Sequence, residues 1–375
     1  MKRDVGPRSV LVIGGGIAGL THAVAARQAG IEVEVIEVRP DWKVAGWGLS
    51  LTGPAIRALR AVGLADACVE AGYPVFRTLH CDAIGTVRNV MELPSVLGPG
   101  KPAEVGIGRP VLHAVLRERA AELGATLRTG LSVESLSSGE GGVTASLSDG
   151  STRTVDYAVG ADGVRSRTRA QLGLPGDPWY TGQMVWRALV DRPEWATDIY
   201  TFAGPTFTTG LIPISPGKAY VFLTESSDDP GTVPEAELAA RMRALLAPFG
   251  GRFAEVRDGI TVPAQVVRRP VQVLFVEGPW HAARTVLAGD AAHSPSPQLV
   301  SGAALAIEDA VVLAEEITAR PSLDKAFDAY ETRRHGRARA LVETSVELGR
   351  SEREGRREEF HALQRKGHGA MAAPM

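Results

Sequence analysis

The chain predicts an α/β protein: a Rossmann-type nucleotide-binding domain, interrupted by a mixed β-sheet insertion and followed by helices. Three stretches carry that expectation. Residues 9–37 run from an apolar strand through a glycine-rich turn and a helix to a second strand ending in an acid. Residues 180–225 hold several strand-like runs and most of the clustered aromatics, and residues 285–312 give a short apolar strand, a Gly-Asp turn and an apolar helix. Related pieces near both ends imply a discontinuous nucleotide domain, at 1–75, 104–178 and 272–320. The insertion then occupies 76–103 and 179–271, and a C-terminal helical segment covers 321–375.

The first stretch assigns a physical job to each part. Val10 to Ile13 suit a strand buried on both faces, and Gly14, Gly16 and Gly19 give Gly-x-Gly-x-x-Gly spacing at the turn into a helix. Gly14 permits the tight turn, Gly16 lets backbone approach a pyrophosphate, and Gly19 brings helix and strand together. Ile17, Ala18 and Gly19 lie where a helix N-terminus offers unpaired N–H groups to an anion. Glu37, eighteen residues beyond Gly19, can accept from a ribose 2′-OH. Arg39 either packs on the nucleotide or is a surface arginine. Residues 45–51 read as a glycine-flexed loop, with Trp47 covering the ligand or packing at the domain edge.

A helix follows over 55–62, then a hairpin over 76–92 and a Pro/Gly-rich loop over 95–102. Pro110 near a first turn marks a helix opening at Gly108-Arg109. Arg109 gains nothing from the helix dipole there, so an external anion or polar ligand is one explanation for it. Strand-like residues 126–159 lead to a Gly-Ala-Asp-Gly turn at 160–163 and a basic helix start. In the insertion, strands are expected at 184–190, 199–202, 206–214 and 218–224, a helix at 234–246 and strand character at 260–276. An amphipathic helix spans 324–349, and the last ~20 residues are expected to fray.

Composition limits the partners. At 375 residues and 44% hydrophobic content the chain can bury a large core, and a net charge of −2 without a basic block argues against nucleic acid or anionic membrane. Lys2 and Arg3 precede an apolar stretch only a strand long, so no leader or span is expected. Two cysteines, Cys68 and Cys81, form neither a disulfide framework nor a metal spacing and suit a reducing cytoplasm.

Three signatures in this order resemble the class A flavoprotein monooxygenases, the p-hydroxybenzoate hydroxylase-like family. They are the glycine fingerprint with Glu37, the Gly160-Ala161-Asp162-Gly163 turn, and Gly289-Asp290 followed by Pro295 and Gly302. The resemblance covers about residues 9–345 and implies a GR2-type FAD-binding domain with an inserted substrate domain. It implies that Gly14, Gly16, Gly19 and Glu37 hold the AMP half of FAD and that Arg109, Val133, Asp162, Gly289 and Asp290 contact the cofactor. The helix at Gly302, Ala303 and Ala304 would face the flavin pyrimidine edge. Many members have Gly-Gln-Gly where this chain has Val300-Ser301-Gly302, so a glutamine contact is missing.

The implied reaction is NAD(P)H-driven hydroxylation of an aromatic or other electron-rich small molecule, with O2 consumed through a flavin C4a-hydroperoxide. NADH and NADPH stay equally open, as do monomer and homodimer. Arg187, Tyr220 and Gln298 are the candidate catalytic residues. Trp47, Trp186, Phe202, Phe207, Phe222 and Pro295 are the candidate pocket lining, with ordinary core packing the competing reading for each aromatic. Alternation puts Tyr220 and Phe222 on one sheet face. His293 reads as a base near the flavin or, preferably, as a side chain bonded to backbone. A flavin-dependent reductase or dehydrogenase on this fold, and a non-catalytic FAD-binding protein, are the alternatives.

Overall fold

Strand and helix patterning set the order of elements in the computed structural model, which describes residues 7–44 and 46–375. Lys2, Arg3 and Ala45, each included in the readings above, lie outside them. The chain starts β1 (Ser9–Ile13), α1 (Ile17–Gln28), β2 (Glu32–Glu37) and β3 (Gly48–Leu51), so the expected loop over 45–51 is largely strand. It continues α2 (Gly53–Ala61), α3 (Ala65–Ala71), β4 (Tyr73–Val75), β5 (Arg77–Asp82), β6 (Val87–Glu92), β7 (Glu104–Gly108) and α4 (Arg109–Glu122). Next are β8 (Thr126–Thr129), β9 (Val133–Gly139), β10 (Gly142–Leu147), β11 (Thr152–Val155), β12 (Tyr157–Gly160) and α5 (Arg167–Gln171).

The inserted part holds β13 (Trp179–Asp191), β14 (Ile199–Ala203), β15 (Thr208–Pro213), β16 (Lys218–Ser226), α6 (Leu238–Leu245), α7 (Phe253–Asp258) and β17 (Val266–Phe275). The chain closes with β18 (His281–Ala282), β19 (Thr285–Leu287), β20 (His293–Ser294), α8 (Gly302–Ala319), α9 (Leu323–Arg353) and α10 (Arg357–Ala372).

Continuous apolar runs make central parallel strands, because helices cover both faces of such a sheet. The first sheet runs β18-β19-β12-β1-β2-β8, with only β18 antiparallel. Chain from near both ends therefore shares one sheet. The eight-stranded sheet runs β20-β17-β13-β16-β15-β14-β5-β6, and small sheets β3-β7-β4 and β11-β10-β9 complete the fold. Helices α1, α2, α4, α8 and α9 pack with the parallel sheet around the largest core.

The tail corrects one expectation. It is helix α10, with Gly367 against Leu299 and Met371 buried. Arg337 and Arg57 donate to carbonyls at its C-terminal end, satisfying acceptors that a helix leaves open. Tertiary partners outweigh the poor local propensity of its Gly-rich sequence.

Candidate functional site

The turn after β1 is shaped by what its glycines exclude. Gly14 has φ +110°, and a Cβ there would collide with the Ala161 carbonyl and lie 2.9 Å from the Asp162 nitrogen. A Cβ at Gly19 would strike the Gly14 carbonyl and approach Val12 Cγ1 at 3.0 Å. Gly16 differs: a Cβ there would meet nothing within 4 Å. That open space lies at the N-cap of α1, where the Ile17, Ala18 and Gly19 N–H groups have no acceptor within the helix. Glu37 closes the side of the turn, accepting from Gly15 N and Arg39 N at 2.9 Å each. The Arg39 side chain is exposed.

Two neighbours of this turn carry no sequence signal. The Trp42 ring lies against Gly15, 5.7 Å from the His113 ring, and His113 Nε2 donates to Gly15 O at 2.7 Å. A tryptophan in a charged loop and a histidine on a helix inner face have no periodicity that reveals a shared target.

Small side chains let the three signatures meet. Ala18 of α1, Ala161 of the 160–163 turn and Ala306 of α8 form one buried cluster with Ile17 packed on it. Gly289, at φ +62°, fits against Ala18, where an added Cβ would stand 2.8 Å away. Asp290 follows directly. Its side chain is open to solvent, but surrounding protein pushes its pKa up, against the pull of Arg109 and His293. Arg109 opens α4 and passes beneath Gly46.

Two contacts implied by the resemblance are redirected. Asp162 accepts from the Ser166 hydroxyl and from Thr168 N and Oγ1 at 2.9 and 3.0 Å, so its carboxylate caps α5. Val133 turns its side chain into a small core with Leu11, Ile13 and Ile36, and its carbonyl accepts from Gln171. His293 also departs from expectation: it pairs with the Asp309 carboxylate at 2.7 Å rather than with backbone.

Loop 295–301 leads into α8. Pro295 packs 3.7 Å from where a Gly302 Cβ would be, and Val300 takes φ +53°, a conformation costly for a β-branched residue. Ser301 caps α8 with its hydroxyl buried and unpartnered, just ahead of the free N–H groups of Gly302, Ala303 and Ala304. Gln298 donates to Gln183, Gln183 donates to Glu352, and Thr224 donates to the same carboxylate at 2.9 Å. The loop is thereby tied to the eight-stranded sheet and to α9.

Alternation along that sheet divides the aromatic candidates. Trp186, Phe202 and Phe207 pack on the face covered by α6 and α7, with Phe249 and Phe253, and Trp186 Nε1 donates to Glu225. This corrects their assignment to the pocket: adjacent β residues point oppositely, so Trp186 and Arg187 cannot share a face. The other face carries Tyr220, Phe222 and Leu189, with Trp47 packed on it. Arg187, opposite Phe222 in the ladder, is on that face too. Its titratable neighbours are the neutral Tyr220 phenol and Arg109, and burial pushes its guanidinium pKa down. The Trp47 indole N–H is buried without an acceptor.

The geometry thus has open space beside Gly16 at one helix N-terminus, a second helix N-terminus without a side-chain cap, and orphaned donors at Ser301 and Trp47. A dinucleotide with a polar ring at its far end fits these features. Residues 8–345 match the family model described as "FAD binding domain", which places the chain in that family. It is 34% identical over 355 residues to the aurachin C monooxygenase/isomerase of Stigmatella aurantiaca, covering 91% of this chain and 88% of the relative. This is an FAD-dependent monooxygenase.

Other relatives agree. The 3-hydroxybenzoate 6-hydroxylase of Polaromonas naphthalenivorans is 30% identical over 359 residues, covering 91% of the monooxygenase and 87% of the relative. Klebsiella pneumoniae HpxO, solved with FAD and uric acid, superposes with a TM-score of 0.84 at 25% identity over 97% and 96% of the two chains. The class A resemblance, the Rossmann-like fold and the FAD cofactor hold, and the family draws on NAD(P)H and O2. No helix among the described residues is long and apolar enough to cross a membrane, and no described cluster of His, Cys, Asp or Glu could hold a metal.

Proposed function

We propose that this monooxygenase hydroxylates a small aromatic molecule held on the sheet face that carries Arg187, Tyr220 and Phe222. That face is the supporting observation. It sets an apolar ring, a buried phenol and a partly buried guanidinium side by side, with Trp47 packed on them, and among the described residues no carboxylate pairs with that guanidinium. Such a surface suits a flat ring bearing an acidic oxygen. The names of relatives that act on 3-hydroxybenzoate and urate favour the same class.

The protein's part is binding and orientation. Gly14, Gly16, Gly19 and Glu37 would hold the AMP half of FAD, and Arg109, Asp290 and the start of α8 the flavin half. When bound and reduced by NADH or NADPH, FAD would activate O2, one atom of which goes to the ring and the other to water. Arg187 fixes the acidic oxygen of the ring, Tyr220 offers a hydroxyl beside it, and Phe222 and Pro295 shield the reacting carbon from water. All these groups come from one chain, which supports a monomer or homodimer as the working form, and the need for NAD(P)H supports a cytoplasmic reaction.

The test is NADH and NADPH oxidation by holoenzyme across benzoates, hydroxyquinolines and purine oxo-compounds, with product mass measured. The reading expects ligand-stimulated oxidation and a product one oxygen heavier. Equal oxidation with and without every ring, and no oxygenated product, would overturn it.

A further inference from the structure

Helix α8 is apolar almost throughout, yet it carries Glu308 and Asp309 side by side at 0% exposure. Each charge has partners on other elements. Asp309 accepts from Arg334 Nε of α9 at 2.8 Å, from His293 Nε2 at 2.7 Å and from the backbone N–H of Gly289 at 2.9 Å. Glu308 pairs with Arg334 at 2.9 Å and takes both forks of Arg337 at 2.8 Å, with Arg57 at 3.7 Å. Tyr330 of α9 donates to Leu287 O, two residues before the turn. Burying so many charges is costly and is offset only where pairing and hydrogen bonding are good.

The Gly289 bond ties this network to the turn. This peptide has φ +62° and immediately precedes Asp290, the residue assigned above to the flavin half of FAD, and the inference rests on that assignment. A carboxylate gripped by an arginine cannot turn away from the N–H it accepts, so α9 fixes the peptide that aims Asp290. The arginine and histidine also hold the Asp309 carboxyl down to about 2, so the acceptor keeps its charge throughout the working pH range.

We propose that Asp309, clamped by Arg334, is a positioning residue for FAD, acting on the flavin half of the cofactor through Gly289 and Asp290. Among the described residues Asp309 forms no hydrogen bond with the Gly14–Gly19 turn, and Gly289 meets that turn only by packing on the Ala18 methyl, so the N–H groups facing the AMP half do not hydrogen-bond through Asp309. An amide at this position cannot accept from Gly289 and His293 while also pairing with Arg334, because one of its two heavy atoms is a donor.

The experiment is a double-mutant cycle on full-length protein stripped of FAD, reading dissociation constants for FAD and for ADP. Asp309→Asn is expected to weaken FAD roughly ten- to a hundredfold, the range for a hydrogen bond to a charged group. ADP affinity should stay within about threefold, since ADP reports only the AMP half. In an Asp290→Asn background, Asp309→Asn should cost less than about threefold, because its effect passes through Asp290. The flavin absorption band should shift in the single Asp309 variant. Arg334→Lys keeps the cation but loses the fork; it should show the same FAD-versus-ADP split at smaller size, and it serves if the first variant does not fold. Equal losses for FAD and ADP, or an Asp309 effect undiminished without Asp290, would refute the positioning role.

Discussion

Gly16→Ala separates the protein's own packing from the space reserved for the cofactor. Gly16 lies at φ −80° and ψ −173°, where alanine is comfortable, and an added Cβ meets nothing within 4 Å. The apoprotein should therefore lose no more than about 1 kcal/mol, the N-cap preference for glycine over alanine. With FAD the methyl occupies the approach to the α1 N-terminus and holds the pyrophosphate off the Ile17–Gly19 N–H groups. Losing one such charge-assisted bond, about 1.5–3 kcal/mol, weakens FAD by roughly ten- to a hundredfold. Flavin fluorescence, titrated into apoprotein, reads the affinity, and calorimetry of the apoprotein reads the stability. An FAD affinity within about threefold of wild type would show that the pyrophosphate does not lie on Gly16. A collapse of apoprotein stability would show that the space is not open.

Gly14→Ala and Gly19→Ala should behave oppositely, lowering apoprotein stability by more than about 2 kcal/mol in urea denaturation, because both methyls collide with backbone. His22 is buried and neutral, its pKa pushed down to about 4 from 6.5 by loss of water. The unfolded chain protonates first, so this contribution is complete above pH 6.5 and falls by about 3 kcal/mol as pH drops toward 4. His22→Gln should flatten that acid limb in urea midpoints measured against pH. Burial pushes the Cys68 thiol up to about 12 and raises Cys81 as well. A thiol reagent at pH 8 should accordingly label native protein at neither site and label both in urea. Arg187→Met should raise KM for an acidic-ring substrate roughly tenfold or more while leaving FAD affinity unchanged, as steady-state kinetics and flavin titration would show.

Local pattern alone determined much of this protein. Glycine spacing, an apolar strand before it and an acid after it define a turn whose chemistry is backbone chemistry, and backbone needs no distant partner to be legible. The Gly289-Asp290 turn and the apolar helix after it were visible for the same reason. Facing was decided only by the tertiary structure. Trp186 and Arg187 are neighbours in sequence and opposites in space, and which of them is packed away depends on where α6 and α7 dock. The partners of buried charge were equally out of reach. Asp309, His293 and Arg334 come from α8, β20 and α9, and their meeting depends on helix packing that leaves no periodic trace. The tail likewise became helix through its contacts with α2 and α9 rather than through propensity. A sequence fixes what each residue can do, and packing chooses which neighbour it does it to, because long-range contacts are settled by shape and burial across the whole chain.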